Sequence, residues 1–310
     1  MRDGIHAMEA YTGVRPGYRR AHARGIGLRG RFTATPAAAE LTTAEHLQGP
    51  PVHVVVRLSN GAGNPTAPDL VSPRHGTVYG LGIAFQLPSG GHATWAAASL
   101  DTFPARTPEE FVAVTTAQRP GPGGRPNLLR LAGFGVSHPH DLAGLRAIAS
   151  APAVPSFANV TFNGLHAYFL VDGEGRRQPF RYSWRPVANA ATLTQSEAAA
   201  TEPQYLTDEI AARLAQGPVS WTLMFTLAED DDRLDDVTVR WPEDRRTIAA
   251  GTLVVDRVHE DQDAVENMVF DPTGVPPGIE CGDDPLLRYR AQTYGESYRR
   301  RHAERNEWET

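Results

Sequence analysis

Short apolar runs cut off by glycine and proline constrain this chain more than any other feature. PVHVVVRL from Pro51, TVYGLGIAFQL from Thr77, VTFNGLHAYFLVD from Val160, VSWTLMFTLA from Val219 and GTLVVDRV from Gly251 alternate or run on for the length of a strand. The stretches between them are wide, irregular and broken by proline, which suits a large antiparallel sheet or barrel and not a repeating βαβ array. An α+β fold built on an antiparallel β-barrel is the expectation. With 310 residues and 41% hydrophobic content the chain can bury a full core. With no low-complexity linker or solenoid repeat in view, residues 1–310 read as one domain.

Helices are fewer and better marked. Thr107-Pro108-Glu109-Glu110 sets a capping threonine, a proline at the first helical position and a glutamate at the third ahead of FVAVTTAQ. HPHDLAGLRAIASA from His138 and YLTDEIAARLAQG from Tyr205 have helical apolar spacing, with Gly217 expected to close the second. The segment from Asp284 through Arg301, with Pro285 early in it, also predicts a helix. GPGGRP from Gly121 and the acidic AEDDDRLDD from Ala228 read as exposed loops, and Asp261, Asp263 and Glu266 as another solvated turn.

A net charge of -6 and a pI near 6.0 give no reason to expect nucleic acid or an anionic membrane as partner. Mean hydropathy is -0.37, and no run approaches the roughly eighteen apolar residues of a spanning helix, so membrane insertion is not expected. Cys281 stands alone, which excludes an intrachain disulfide and a multi-cysteine metal site. Together with an N-terminus, MRDGIHAMEAYTG, that lacks a secretory pattern, it predicts a cytoplasmic location. His138 and His140 in SHPHD have side chains that bind metals, but no third ligand stands near them in the sequence and they open a helix, so surface capping is expected.

On a helix, Arg290, Tyr294 and Arg301 share one face. A neighbouring cation favours phenolate over phenol, and a phenolate is an anionic oxygen ligand for ferric iron. The same spacing suits an amphipathic terminal helix whose tyrosine packs and whose arginines are solvated. Near the other end, YRRAHARGIG from Tyr18 sets His22 among basic residues and glycines. An imidazole is a natural general base near neutral pH, and glycines let a ligand approach the backbone closely.

Taken in order, these segments resemble the signatures of the haem catalase superfamily. RRAHARGIGLRGRF resembles the family's distal-histidine segment leading into the first barrel strand, with His22 on the essential histidine. VVVRLSNGAG, from Val54 to Gly63, resembles the next segment, which implies that Arg57 meets a haem propionate and Ser59 orients His22. YGLGIAF from Tyr79, WPEDRRTIAAGTLVVDRV from Trp241 and VFDPTGVPPGIE from Val269 resemble later family strands and the segment before the proximal helix. LLRYRAQTYGESYRRRH then places Tyr294 on the proximal iron ligand, Arg290 on the arginine that bonds its oxygen, and Arg301 on a propionate-binding arginine, as it does Arg19 upstream. The resemblance therefore implies haem b in a barrel of the catalase core type, with flanking helices and a C-terminal haem-ligating helix.

Two departures shape the expected activity. True catalases are longer, with an N-terminal arm, a wrapping segment and a C-terminal helical region that hosts a nicotinamide cofactor. The chain is thus most similar to the short catalase-related peroxidases, no nicotinamide cofactor is expected, and a homodimer is the expected assembly. In WAAASLDTF the family's distal asparagine is replaced by Ala98, or by Ser99 if the register shifts by one, whereas Phe103 and Phe111 match aromatic positions of the pocket and channel. Loss of the amide implies a peroxidase that cleaves peroxides, organic hydroperoxides foremost, and oxidises a small organic electron donor, with little catalase activity. The alternatives are a fatty-acid hydroperoxide isomerase or dehydratase that forms an allene oxide, and a haem-binding barrel without catalysis.

Overall fold

The computed structural model describes residues 2–72, 75–121 and 127–306. Eight antiparallel strands form a closed barrel: β1 (Gly25–Ala34), β2 (Val52–Asn60), β5 (Tyr79–Gln86), β6 (His92–Ala98), β7 (Phe162–Val171), β8 (Arg177–Pro186), β9 (Val219–Leu227) and β10 (Thr247–Val258). Their order is β7-β6-β5-β2-β1-β10-β9-β8, and β8 pairs back with β7 to close the ring. A short strand β11 (Ile279–Cys281) extends β7 on the outside of that ring, and β3 (Leu70–Ser72) with β4 (His75–Gly76) makes a separate ribbon.

β9 shows why these residues form strands. In VSWTLMFTL every second side chain, Val219, Trp221, Leu223, Phe225 and Leu227, is buried, while those between are partly exposed, the period-two pattern of a strand with one face in a core. The interior is filled by aromatic rings, with Phe32 edge-on to Phe85 at 5.4 Å and Trp95 edge-on to Trp184 at 6.1 Å. Each such side chain, fully buried, stabilises the fold by about 1.5–3 kcal/mol.

Three barrel strands lie outside the apolar runs of the sequence: β1, to which the family resemblance points, and β6 and β8. β6 reads HATWAAA and β8 reads RQPFRYSWRP, yet both alternate, burying Ala93, Trp95 and Ala97, and Phe180, Tyr182 and Trp184. Small alanines and flanking prolines and arginines dilute the hydrophobic signal, and the neighbours on either side supply the pairing that propensity alone does not.

Nine helices are described: α1 (Arg2–Thr12), α2 (Pro36–Ala39), α3 (Pro108–Ala117), α4 (Leu128–Ser137), α5 (Leu142–Ala149), α6 (Gln195–Ala200), α7 (Tyr205–Leu214), α8 (Gln262–Asn267) and α9 (Pro285–Asn306). α3 starts where the sequence predicts, with Thr107 Oγ1 accepting the Glu110 N–H at 3.3 Å and the Glu110 carboxylate accepting the Thr107 N–H. The segment from His138 is a 3-10 turn over Pro139–Asp141 that passes into α5. α7 is capped at Ala215, two residues before the expected Gly217, whose N–H bonds back to Arg213 O at 3.2 Å. α9 runs straight through Gly295. Of GPGGRP only Gly121 falls within the described residues.

The acidic stretch from Ala228 is more than a solvated turn. Glu229, Asp231 and Asp232 converge on Arg245 at 2.7–2.9 Å, and the guanidinium is buried beneath them. The two ends of the chain are tied together by buried ions as well: Arg20 pairs with Glu9 of α1 at 2.8 Å and with Glu304 of α9, and Arg300 of α9 pairs with Glu9 at 2.7 Å. Among the described residues no helix is long and apolar enough to cross a membrane.

Candidate active site

His22 is the one non-glycine residue among those described with a positive φ, 54°. A left-handed backbone costs an L-residue roughly 1–2 kcal/mol, so it persists where neighbours hold it. Here the His22 N–H bonds to Gly61 O at 3.4 Å, Ala23 N–H to Ala62 O at 2.8 Å, and Arg57 Nη2 donates to His22 O at 3.0 Å. The ring is fixed in turn, since His22 Nδ1 and Ser59 Oγ share a hydrogen bond of 3.0 Å. That leaves Nε2 as the ring nitrogen available to a ligand in the cavity that His22 borders. Burial, with the charges of Arg57, Arg290 and Arg19, pushes the imidazole down to about 3, so it is neutral at pH 7.

Gly80 of β5 lies flat against this ring. A Cβ there would stand 2.6 Å from His22 Nδ1 and Cε1 and 2.9 Å from Ser59 Oγ, closer than real contacts allow. For the peroxide chemistry that the sequence resemblance implies, Gly80→Ala is expected to keep the barrel but displace the imidazole and lower turnover on the order of 100-fold. Stopped-flow kinetics with circular dichroism check it, and a variant with unchanged turnover counts against the packing argument.

Tyr294 lies half-buried on α9, on the same cavity. Arg290, one turn earlier, donates from Nη2 to the tyrosine oxygen at 2.7 Å. Its Nη1 donates to His166 Nε2 at 2.8 Å, and His166 Nδ1 stands 2.7 Å from Asp284 Oδ2. The chain of partners assigns the His166 proton to Nδ1, with Nε2 accepting from the guanidinium. Asp284 accepts the Leu286 N–H at 2.8 Å with its other oxygen, so one carboxylate caps the start of α9 and anchors the relay. His166 and Asp284 were not singled out from the sequence. The β7–β8 register shifts between Gly164 and Tyr168, and this bulge brings His166 to Arg290.

Arg19, Arg57 and Arg301 converge on the end of α8. Arg57 Nε donates to Glu266 Oε1 at 2.7 Å, Arg19 pairs with Glu266 Oε2, Arg19 Nη2 donates to Met268 O at 2.7 Å, and Arg301 donates to the carbonyls of Glu266 and Met268. Glu266 therefore does not sit in a solvated turn. Its carboxylate is drawn in by two guanidinium groups that are remote in sequence. Burial, and then the neighbouring cations, pushes Arg19 down to about 9, and burial pushes Arg301 down to about 10. Three guanidinium groups against one carboxylate leave an excess of buried positive charge that a dianion would neutralise.

His22, Ser59, Tyr294, Arg290, His166 and the three arginines border one cavity of about 390 Å³. Phe103 and Phe111 both line it and stack at 6.1 Å. Ala98 is on its wall, whereas Ser99 is held by the Tyr79 N–H at 2.9 Å and does not border it. Asn163, which pairs with Ala98 across the seam between β6 and β7, brings an amide to the wall, but its Nδ2 donates to Leu100 O at 3.0 Å.

Barrel, cationic rim and inward-facing base and phenol together define a class: a β-barrel that binds a dianionic cofactor. Within that class the chain belongs to the catalase family, whose members generally bind haem; the family model described as Catalase matches residues 5–307. It is 35% identical over 299 residues to a catalase-related peroxidase of Mycolicibacterium paratuberculosis, covering 96% of this chain and 93% of that one. A catalase-related peroxidase of Synechococcus elongatus is 32% identical over 300 residues, covering 96% and 87%. Among solved structures, a bacterial catalase matches with a TM-score of 0.81 at 21% identity, covering 93% of this chain and 58% of the other. A fungal catalase matches at 0.82 and 21%, with 93% and 60% covered. The chain thus spans about three fifths of the catalase structures it matches.

Proposed function

We propose that this protein is a haem b peroxidase that cleaves organic hydroperoxides and oxidises a small organic donor. The observation that carries the reading is the fixed, neutral His22, bonded through Nδ1 to Ser59 and bordering the cavity that Tyr294 and Arg290 also border. The residues present fit the cofactor. Arg19, Arg57 and Arg301 form an under-neutralised cationic rim for two propionates, Tyr294 offers an oxygen ligand held by a guanidinium, and Gly80 is the cradle that keeps His22 in place. The single cysteine, Cys281 on β11, stands opposite Tyr168 of β7 and does not line the cavity, which favours a haem without a thioether link.

When bound, haem supplies a redox-active iron at which a peroxide can be activated. The chain's own residues do the rest. With its Nδ1 proton directed at Ser59, His22 presents a lone pair on Nε2 that takes the proton of the peroxide and returns it to the departing oxygen. Arg290 donates to the Tyr294 oxygen and is held through His166 by Asp284, so the orientation of the phenol that would ligate the iron is fixed. Ala98 offers no side-chain hydrogen bond to orient a second hydrogen peroxide, which favours an organic reductant over dismutation.

The test is product analysis with purified holoprotein. Consumption of a hydroperoxide is expected to require donor, with two one-electron donors oxidised per peroxide and little oxygen released. Donor-independent oxygen evolution would point to dismutation, and donor-independent conversion of a polyunsaturated hydroperoxide to an allene oxide would point to isomerase or dehydratase chemistry; either outcome sinks the peroxidase reading.

A further inference from the structure

Away from the cavity, Asp141 closes the 3-10 turn ahead of α5 with its side chain wholly buried, 0% exposed, and neither carboxylate oxygen receives a hydrogen bond. A buried carboxylate without donors is costly enough to require an explanation. Two further ligand-type atoms lie beside it. His140 Nε2 is 3.4 Å from Asp141 Oδ1 and 3.1 Å from Glu110 Oε1, and the ligand atoms of all three residues fall within 4.8 Å of one another. Glu110 is prearranged for this, because its Oε2 is occupied by the N–H groups of Arg106 and Thr107 in the α3 capping box while Oε1 points at His140.

We propose that Glu110, His140 and Asp141 form a binding site for a divalent first-row cation, zinc above all, that clips the start of α3 to the turn before α5. Tetrahedral zinc with bonds of about 2.0–2.1 Å separates its ligand atoms by about 3.3 Å, and the two measured edges bracket that value. One imidazole with two carboxylates suits zinc better than magnesium or calcium, which take oxygen ligands throughout, and better than copper(I), which takes sulfur. Solvent can reach the site through His140, which is 38% exposed, so a water completes the coordination. The clip has a structural consequence: α3 carries Phe111 and Val114 to the wall of the cavity, so the cation would steady that wall without touching it.

Holoprotein freed of loosely held metal by dialysis against chelator is titrated with Zn2+ by equilibrium dialysis, reading zinc and iron separately, and with Co2+ by absorption. One tight equivalent of zinc and a tetrahedral cobalt spectrum are expected. His140→Ala and Glu110→Gln should weaken zinc binding on the order of 100-fold with haem content unchanged. His138→Ala, whose ring stacks on Phe134 at 4.4 Å, should leave it unaltered. Absence of a tight equivalent would mean that His140 simply lies between two carboxylates without a metal, and a tight equivalent that survives both substitutions would place the metal elsewhere; each result overturns the proposal.

Discussion

With Tyr294 as the proposed iron ligand, Tyr294→Phe is expected to leave the barrel folded while the tyrosinate absorption spectrum is lost, haem affinity falls on the order of 100-fold, and peroxide turnover falls at least as far. The substitution removes one oxygen and keeps the ring. The half-buried side chain continues to pack, while Arg290 loses the acceptor that it binds at 2.7 Å. Stability therefore changes little, and the deficit lies in the metal ligand. Arg290 stays anchored by His166, so the rest of the lower face keeps its arrangement. Absorption spectra of reconstituted wild type and variant, with a haem titration, check the result. A variant that binds haem as tightly and with the same spectrum removes Tyr294 as the iron ligand.

The second large effect falls on His22. Removing the proposed general acid and base is expected to lower kcat/KM for peroxide by about 100- to 10000-fold, or about 3–5 kcal/mol in the barrier, with haem retained. His22→Asn is the cleaner substitution, because asparagine tolerates the left-handed backbone that this position adopts, whereas alanine adds strain of its own. Stopped-flow mixing of the holoprotein with peroxide measures the step directly, and a rate within a few-fold of wild type would dismiss the histidine from catalysis.

The direction of the His22 shift also sets a pH dependence. The base is active when neutral, and burial pushes it from its ordinary value near 6.5 down to about 3, so the cavity histidine stays competent through the range in which an exposed histidine would protonate. The rate of peroxide activation is therefore expected to be flat between about pH 5 and pH 8, and a limb with a midpoint near 6.5 contradicts the burial argument. Stability follows the same sign. The folded state binds this proton less readily than the unfolded chain, so the contribution of neutral His22 is fully present above pH 6.5. It declines by about 1.4 kcal/mol per unit as pH falls toward 3.

Much of the site is legible along the chain because each half of it is local. Arg290 and Tyr294 are one helical turn apart, and His22 with Arg19, or Arg57 with Ser59, lie within a few residues on one segment, so their shared environment is written in spacing. Ala98 in place of an amide is local in the same sense, and the structure puts that residue, not Ser99, on the cavity wall. The residues that escaped are those whose meaning depends on a partner far away. Glu266 looks like any acidic turn residue until Arg19 and Arg57 arrive from 247 and 209 residues away. His166 is one more histidine in an apolar strand until Asp284, 118 residues on, and Arg290 close around it. His140 lacked a third ligand in the sequence because Glu110 is 30 residues upstream, on another helix.

The same division runs through the whole molecule. Sequence by itself determined the strands with strong alternation, the α3 cap and the terminal helix, and it singled out the phenol and imidazole that border the cavity, because periodicity and short spacing are properties of neighbouring residues. Only the tertiary structure decided which weak strands complete the barrel, which carboxylates are buried against cations, and which histidines are neutral. Pairing, burial and charge compensation come from residues that are distant along the chain and adjacent only once it has folded.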